Sequence, residues 1–180
     1  MKSFLAILAL GLLALIGQGA LARLLPPPWC PDIAWLVVVA LGLRWPHFLS
    51  GLLLAVLLGY AMDLVSGSLM GQHALMRLLS YLAAAVASRQ LDLSGALPVS
   101  IFVFIAMLFH GLAMVATLSF FVGSSGIGIH VVGQALVHAM ANVLAALPVL
   151  ALVERLRARL WEEELGRRSW PMGLPQGRSV

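Results

Sequence analysis

The residue best placed to do chemistry is Asp63, the one acidic side chain inside a long apolar segment of the sequence. An ionisable group in such a segment is costly to bury and typically faces other helices instead of lipid. Gly51, Ala55 and Gly59 precede it at intervals of four, so all four residues lie along one face of a helix. Small residues at this spacing allow a second helix to approach closely. The pattern predicts a helix-contact face that ends in a carboxylate.

The next apolar segment offers Asp63 a partner. His73, Arg77 and Tyr81 recur every four residues, and the turn at Ser66-Gly67-Ser68 joins the two segments. Such a turn makes the helices antiparallel neighbours, so we expect Asp63 and Arg77 to lie at similar depth and to form an ion pair that orders the hairpin. Two alternatives remain open: a site that handles a proton or a ligand, and a contact with a partner protein's membrane helix.

A second polar stripe lies on the last apolar segment. His130, Gln134, His138 and Asn142 again recur every four residues, and they drift only slowly around the helix. We expect them to form hydrogen bonds between helices, with the lining of a polar cavity as the alternative. A metal site is disfavoured, because His110 and His138 bring two neutral nitrogens and no nearby thiolate or carboxylate.

Catalytic patterns are missing from the sequence. It contains no glycine-rich phosphate loop, no GxSxG, no HExxH and no CxxC motif. Acid–base catalysis by paired carboxylates needs a second acid near Asp63, and the apolar segments supply none. The sequence therefore predicts a protein that is not an enzyme and that needs no cofactor.

The composition indicates what kind of element must position these residues. Of the 180 residues, 62% are hydrophobic and 10% are charged, against roughly 45–50% and 25% in soluble proteins. No Asp, Glu, Lys or Arg occurs between Asp92 and Glu154. Soluble enzymes, nucleic-acid-binding domains and disordered proteins are excluded on this ground. The chain is expected to be an all-α integral membrane protein.

Six apolar segments are expected to cross the membrane, and the second of them is short. A bilayer core of about 30 Å requires roughly 20 helical residues, so the second segment crosses only with its flanks included, or is re-entrant. A cleaved signal peptide is the less favoured interpretation of the first segment. The segments are 4–22, 33–43, 49–65, 70–87, 96–122 and 129–153.

Charge places the C-terminal tail in the cytoplasm. With six spans, nine Lys and Arg residues lie inside and Arg23 alone lies outside, as the positive-inside rule predicts. A five-span arrangement with the N-terminus outside gives the same ratio and remains open. We expect residues 1–153 to form one transmembrane domain. Residues 154–180 form a basic cytoplasmic tail that is helical to about Leu165 and disordered after Gly166.

One stretch resembles a known family. Pro31-Asp32 opens an apolar run, the glycine-bearing segment from Gly51 runs into Asp63, and Ser66-Gly67-Ser68-Leu69-Met70-Gly71 forms the turn that follows. About 50 residues of this pattern resemble the rod shape-determining protein MreD family. Two features depart from the family pattern: Met70 stands where a proline is common, and Arg77 lies within the following helix.

The resemblance implies a multi-pass, non-enzymatic subunit of the cell-elongation machinery in the bacterial inner membrane. It implies association with an MreC-like periplasmic scaffold and, through it, with MreB, RodA and a class B penicillin-binding transpeptidase. It also implies a fold similar to the six-helix substrate-binding subunits of energy-coupling-factor transporters. The alternative function is therefore a vitamin-binding subunit of such a transporter. A proton-coupled transporter is a third class, disfavoured by the lack of a second buried acid and of an internal repeat.

Overall fold

The structure is a computed structural model that describes residues 2–67, 69–123 and 129–168. This part of the chain is all-helical, with no strand among the described residues. Apart from the C-terminal end of the last helix, the helices begin and end close to the bounds expected from the apolar pattern. They are α1 (Lys2–Leu21), α2 (Ile33–Arg44), α3 (Phe48–Ser66), α4 (Gln72–Gln90), α5 (Ala96–Val122) and α6 (Ile129–Arg168).

Several of these helices have the length and composition of membrane spans. Within the described residues, four segments are long and apolar enough to cross a bilayer: Ser3–Leu21, Phe48–Ser66, Ala96–Phe121 and His130–Leu160. The α4 helix has 19 residues but carries more polar side chains. The α2 helix has 12 residues, which at about 1.5 Å per residue is roughly 18 Å. The chain is thus an all-helical protein with the apolar helices of a membrane protein.

The shortest helix, α2, is the centre of the fold. All residues from Ala34 to Leu43 are buried, and the helix packs against α1, α3, α4 and α6. Its sequence, Ile-Ala-Trp-Leu-Val-Val-Val-Ala-Leu-Gly-Leu, is apolar on every side, as expected for a helix surrounded by other helices. Gly42 has its α-carbon so close to α4 that an added Cβ would lie 2.7 Å from the Tyr81 carbonyl oxygen.

Both ends of α2 carry a charged residue that is held by another part of the fold. Asp32 caps the helix by accepting a hydrogen bond from the Trp35 amide at 2.8 Å. At the opposite end, Arg44 Nε lies 2.9 Å from a carboxylate oxygen of Glu154 on α6. The Arg44 guanidinium also donates to the Leu93 carbonyl at 2.8 Å. These contacts fix the position of α2 along its axis.

The last helix, α6, continues well beyond the predicted sixth span. It runs without a break through Pro148 to Arg168, so residues 153–165 of the tail are helical. It ends two residues after Gly166, and residues 169–180 lie outside the described part of the chain.

Candidate functional site

The α3–α4 hairpin brings together the two faces that the four-residue spacing predicts. Tyr81 packs across from Gly51, where an added Cβ would lie 2.5 Å from the Tyr81 hydroxyl oxygen. That hydroxyl donates a hydrogen bond to the Phe48 carbonyl at 2.8 Å. Nearer the turn, an added Cβ on Gly59 would lie 2.7 Å from the His73 carbonyl oxygen. Ala55, between these two glycines, is fully buried.

Asp63 closes the hairpin by capping the N-terminus of α4. Its carboxylate accepts hydrogen bonds from the backbone amides of Gly71, His73 and Ala74, at 3.0, 2.8 and 3.2 Å. The His73 ring nitrogen Nδ1 lies 3.0 Å from the same carboxylate. The first amides of a helix have no partner within the helix and carry its positive dipole end. A carboxylate placed there satisfies them and is stabilised by them.

Gly59 and Asp63 work together because they are one helical turn apart. The missing side chain of Gly59 lets the backbone at Ala74 come close to α3, and this approach puts the α4 amides within reach of Asp63. The turn between the helices needs two left-handed residues, which are Gly67 at φ +64° and Gly71 at φ +87°. Residues other than glycine rarely adopt such angles. Four sequence features therefore serve one local structure.

The expected ion pair between Asp63 and Arg77 is wrong. Arg77, fully buried, directs its guanidinium to Asp32 instead, with Nη2 3.2 Å from a carboxylate oxygen. Its Nη1 donates to the Leu58 carbonyl at 2.9 Å. The physical reason is that Asp63 faces the first turn of α4, where backbone amides occupy its oxygens. Arg77 lies more than a turn further along α4, level with the capping residue of α2.

The Asp32–Arg77 pair joins three helices through one buried cluster. Asp32 caps α2, Arg77 belongs to α4, and the Asp32 backbone amide donates to the Asn142 side-chain oxygen of α6 at 3.0 Å. Asn142 is fully buried and donates in turn to the His138 carbonyl at 2.8 Å. Opposite charges, each with further hydrogen bonds, make a buried pair tolerable.

The polar stripe on α6 divides into two halves. His138 and Asn142 face inward, and the His138 ring nitrogen Nδ1 lies 3.3 Å from the Pro28 carbonyl in the α1–α2 connection. His130 and Gln134 are exposed. The slow drift of a four-residue repeat around the helix explains this division, because only its second half reaches the contact with α2.

Sequence reasoning missed Asp32 as a functional partner of Arg77, although a signal was present. Pro31-Asp32 opens the apolar run of α2, and an aspartate at the start of a helix accepts hydrogen bonds from the first amides of that helix. In the structure Asp32 accepts a hydrogen bond from the Trp35 amide in this way, and its carboxylate also pairs with the Arg77 guanidinium. Among the described residues, no three His, Cys, Asp or Glu side chains come together as a metal site.

The arrangement as a whole holds helices together. Its charged residues, Asp32, Asp63 and Arg77, are all buried, and each contacts a residue of another helix. Comparison of the chain with protein-family models, with curated proteins and with solved structures gives no match.

Proposed function

We propose that this protein is a non-catalytic subunit of the bacterial cell-elongation machinery, related to MreD, in the inner membrane. In this role it holds an MreC-like periplasmic scaffold protein together with the enzymes of peptidoglycan synthesis. RodA, a class B penicillin-binding transpeptidase and MreB are indirect partners. We also propose six membrane crossings, with α2 completed by its flanks, and a cytoplasmic C-terminus.

The observation that carries this proposal is the construction of the α3–α4 hairpin. The residues that resemble MreD, from Gly51 through Asp63 to Gly71, serve one structural purpose. They bring two helices into close contact and cap the second of them. Small residues that allow close helix contact and a carboxylate that caps a helix favour the function of a rigid scaffold over that of a catalytic site. A partner then has to contact the outer surface of the hairpin, since its inner surface is filled.

The exposed side chains at the hairpin tip suit such a contact. Leu64, Val65 and Met70 are 60%, 80% and 67% exposed next to the Asp63 cap. Apolar side chains that protrude from a fixed turn offer an apolar partner segment a well-defined surface. We place the contact with the MreC-like partner here.

A vitamin-binding subunit of an energy-coupling-factor-type transporter is the second candidate function. The buried polar cluster of Asp32, Arg77, His138 and Asn142 favours it, because binding sites combine an apolar surround with a few convergent polar groups. Those groups already bind one another across α2, α4 and α6, so a ligand would have to displace these contacts. For this reason the scaffold function is the better supported one.

Copurification after mild detergent extraction tests the proposal. A tagged protein should bring down an MreC-like protein and cell-wall synthases. Leu64→Asn at the hairpin tip should reduce their recovery. Leu144→Asn should not, because Leu144 is 76% exposed but lies on α6. Recovery of an ATPase module and a small ligand in place of these partners would replace the scaffold function by the transporter function.

A further inference from the structure

A long apolar groove separates α4 from α5. It has a volume of about 780 Å³, and α4 and α5 share a smaller interface than α5 and α6 do. Leu97, Ile101 and Ile105 form one wall of the groove. Their side chains are 72%, 52% and 47% exposed. The groove opens at the α4–α5 connection beside Asp92 and extends to Met76 of α4 and Ala113 of α5.

A polar contact lies on the inner side of the groove. The Ser80 hydroxyl lies 3.5 Å from His110 Nδ1 and accepts a hydrogen bond from the Trp35 indole at 2.9 Å. The rings of Trp35 and His110 are 5.6 Å apart. Ser80 and His110 therefore line the groove on the side where Trp35 of α2 packs against them.

The length of the groove matches the depth of one membrane leaflet. Its wall on α5 runs from Leu97 to Ala113, roughly 24 Å at about 1.5 Å per residue. One leaflet measures roughly 20–22 Å from the polar headgroups to the midplane, as half of a bilayer about 40–45 Å thick. The groove therefore extends from headgroup level to the middle of the membrane.

The groove is narrow for its length. A volume of about 780 Å³ over roughly 24 Å of helix length gives a mean cross-section of roughly 30 Å². A helix with its side chains is about 10–12 Å across, so its cross-section is roughly 80–110 Å². A hydrocarbon chain can therefore lie wholly within this space, whereas a helix would only cover its open side.

The mouth of the groove carries charges of both signs. Asp92 lines it, and the Arg44 guanidinium donates a hydrogen bond to the carbonyl of Leu93, which also lines it. The pKa of Asp92 lies below its usual value, mainly because of a hydrogen bond from the Ser94 hydroxyl and also because of one from the Ser94 amide. These bonds measure 2.7 and 3.2 Å. An ionised carboxylate at headgroup level attracts an ammonium group, although an exposed pair is weak.

We propose that the groove between α4 and α5 binds one acyl chain of a phospholipid whose ammonium headgroup lies beside Asp92. The lipid comes from the leaflet on the side of the α4–α5 connection. Its chain fills the space that the two helices leave between them, passes the Ser80–His110 contact and ends near Met76 and Ala113. Bound in this way, the lipid completes the packing of α5 against the rest of the bundle.

Native mass spectrometry of the full chain tests the proposal, with an equal mixture of phosphatidylethanolamine and phosphatidylglycerol added in mild detergent. The wild-type protein should retain one phospholipid, preferentially phosphatidylethanolamine. Ala106→Trp fills the groove and should abolish retention, whereas Ala116→Trp should keep it. Both alanines belong to α5, but Ala116 does not line the groove. Ala83→Phe fills the groove from α4 and provides a second variant if Ala106→Trp does not fold.

Asp92→Asn should lower the preference for phosphatidylethanolamine by about two- to fivefold, the effect of losing an exposed charge pair. Equal retention by the two tryptophan variants, or no lipid on the wild-type protein, would overturn the proposal. A second copy as the occupant would also overturn it. That outcome would appear as a crosslinked dimer of Ile105→Cys in a Cys30→Ser background in native membranes.

Discussion

The buried pair of Asp32 and Arg77 allows the sharpest test of the structure. Arg77 is fully buried and Asp32 is 8% exposed, and the pair connects α2 with α4 at 3.2 Å. Asp32→Asn leaves the Arg77 charge buried without its counter-ion. Removal of one partner of such a pair costs roughly 3–5 kcal/mol, which is about two to three and a half orders of magnitude in the unfolding equilibrium.

The double replacement should be far milder than the sum of the single ones. Arg77→Met leaves Asp32 with the Trp35 amide as its partner, and Asp32→Asn with Arg77→Met removes both charges together. Replacement of a whole buried pair by uncharged groups is often close to neutral. We expect a coupling energy of at least about 3 kcal/mol, because the double replacement removes the cost of roughly 3–5 kcal/mol that Asp32→Asn incurs alone.

The assay is unfolding of the purified protein in mixed micelles by titration with sodium dodecyl sulfate, followed by tryptophan fluorescence. Glu154→Gln is the control, because the Arg44–Glu154 pair is 28% and 43% exposed and such pairs contribute about 0–1 kcal/mol. A cycle of Asp63→Asn with Arg77→Met should show smaller coupling than the Asp32 cycle. Additive losses for Asp32 and Arg77, or stronger coupling of Arg77 to Asp63, would refute the assignment.

Three further predictions follow from the hairpin and from the α1–α2 connection. Gly59→Ala should destabilise the protein by about 1–3 kcal/mol through overpacking, whereas Gly133→Ala should be tolerated because its Cβ meets open space; equal melting temperatures would contradict this. Asp63→Ala should lower the free energy of unfolding by about 1–3 kcal/mol through lost capping, and an unchanged value in the micelle titration would show that the cap is dispensable. Burial raises the pKa of the Cys30 thiol, so this thiol should react slowly with a membrane-impermeant maleimide. Leu24 is 79% exposed, and Leu24→Cys in a Cys30→Ser background should react quickly in intact spheroplasts. Labelling of Leu24→Cys only in inverted vesicles would favour the five-span topology.

The positions of the helices follow from the apolar pattern, since each begins and ends close to a Gly, Pro or charged residue. The mutual contact of the two hairpin faces also follows, because a four-residue spacing on adjacent antiparallel helices leaves few other arrangements. The turn is also predictable, because glycine is the residue that most readily adopts the left-handed backbone found at Gly67 and Gly71.

The partners of the charged residues could not be predicted in the same way. Periodicity gives the face on which a side chain lies but not its depth relative to a helix far away in sequence. Asp32 and Arg77 are 45 residues apart, and they meet only because α2 is short and central. A helix of 12 residues that lies among longer helices has its capping residue level with the interior of α4, where Arg77 reaches it.

The proposal that the protein is a scaffold for lateral wall growth is tested most directly by depleting it in a rod-shaped bacterial host. The width and length of the cells are then measured with and without an added vitamin mixture. The scaffold function predicts that depleted cells become round whether or not vitamins are present, and that re-expression of the wild-type chain restores the rod shape. Depleted cells that keep their rod shape but grow only with an added vitamin would contradict it.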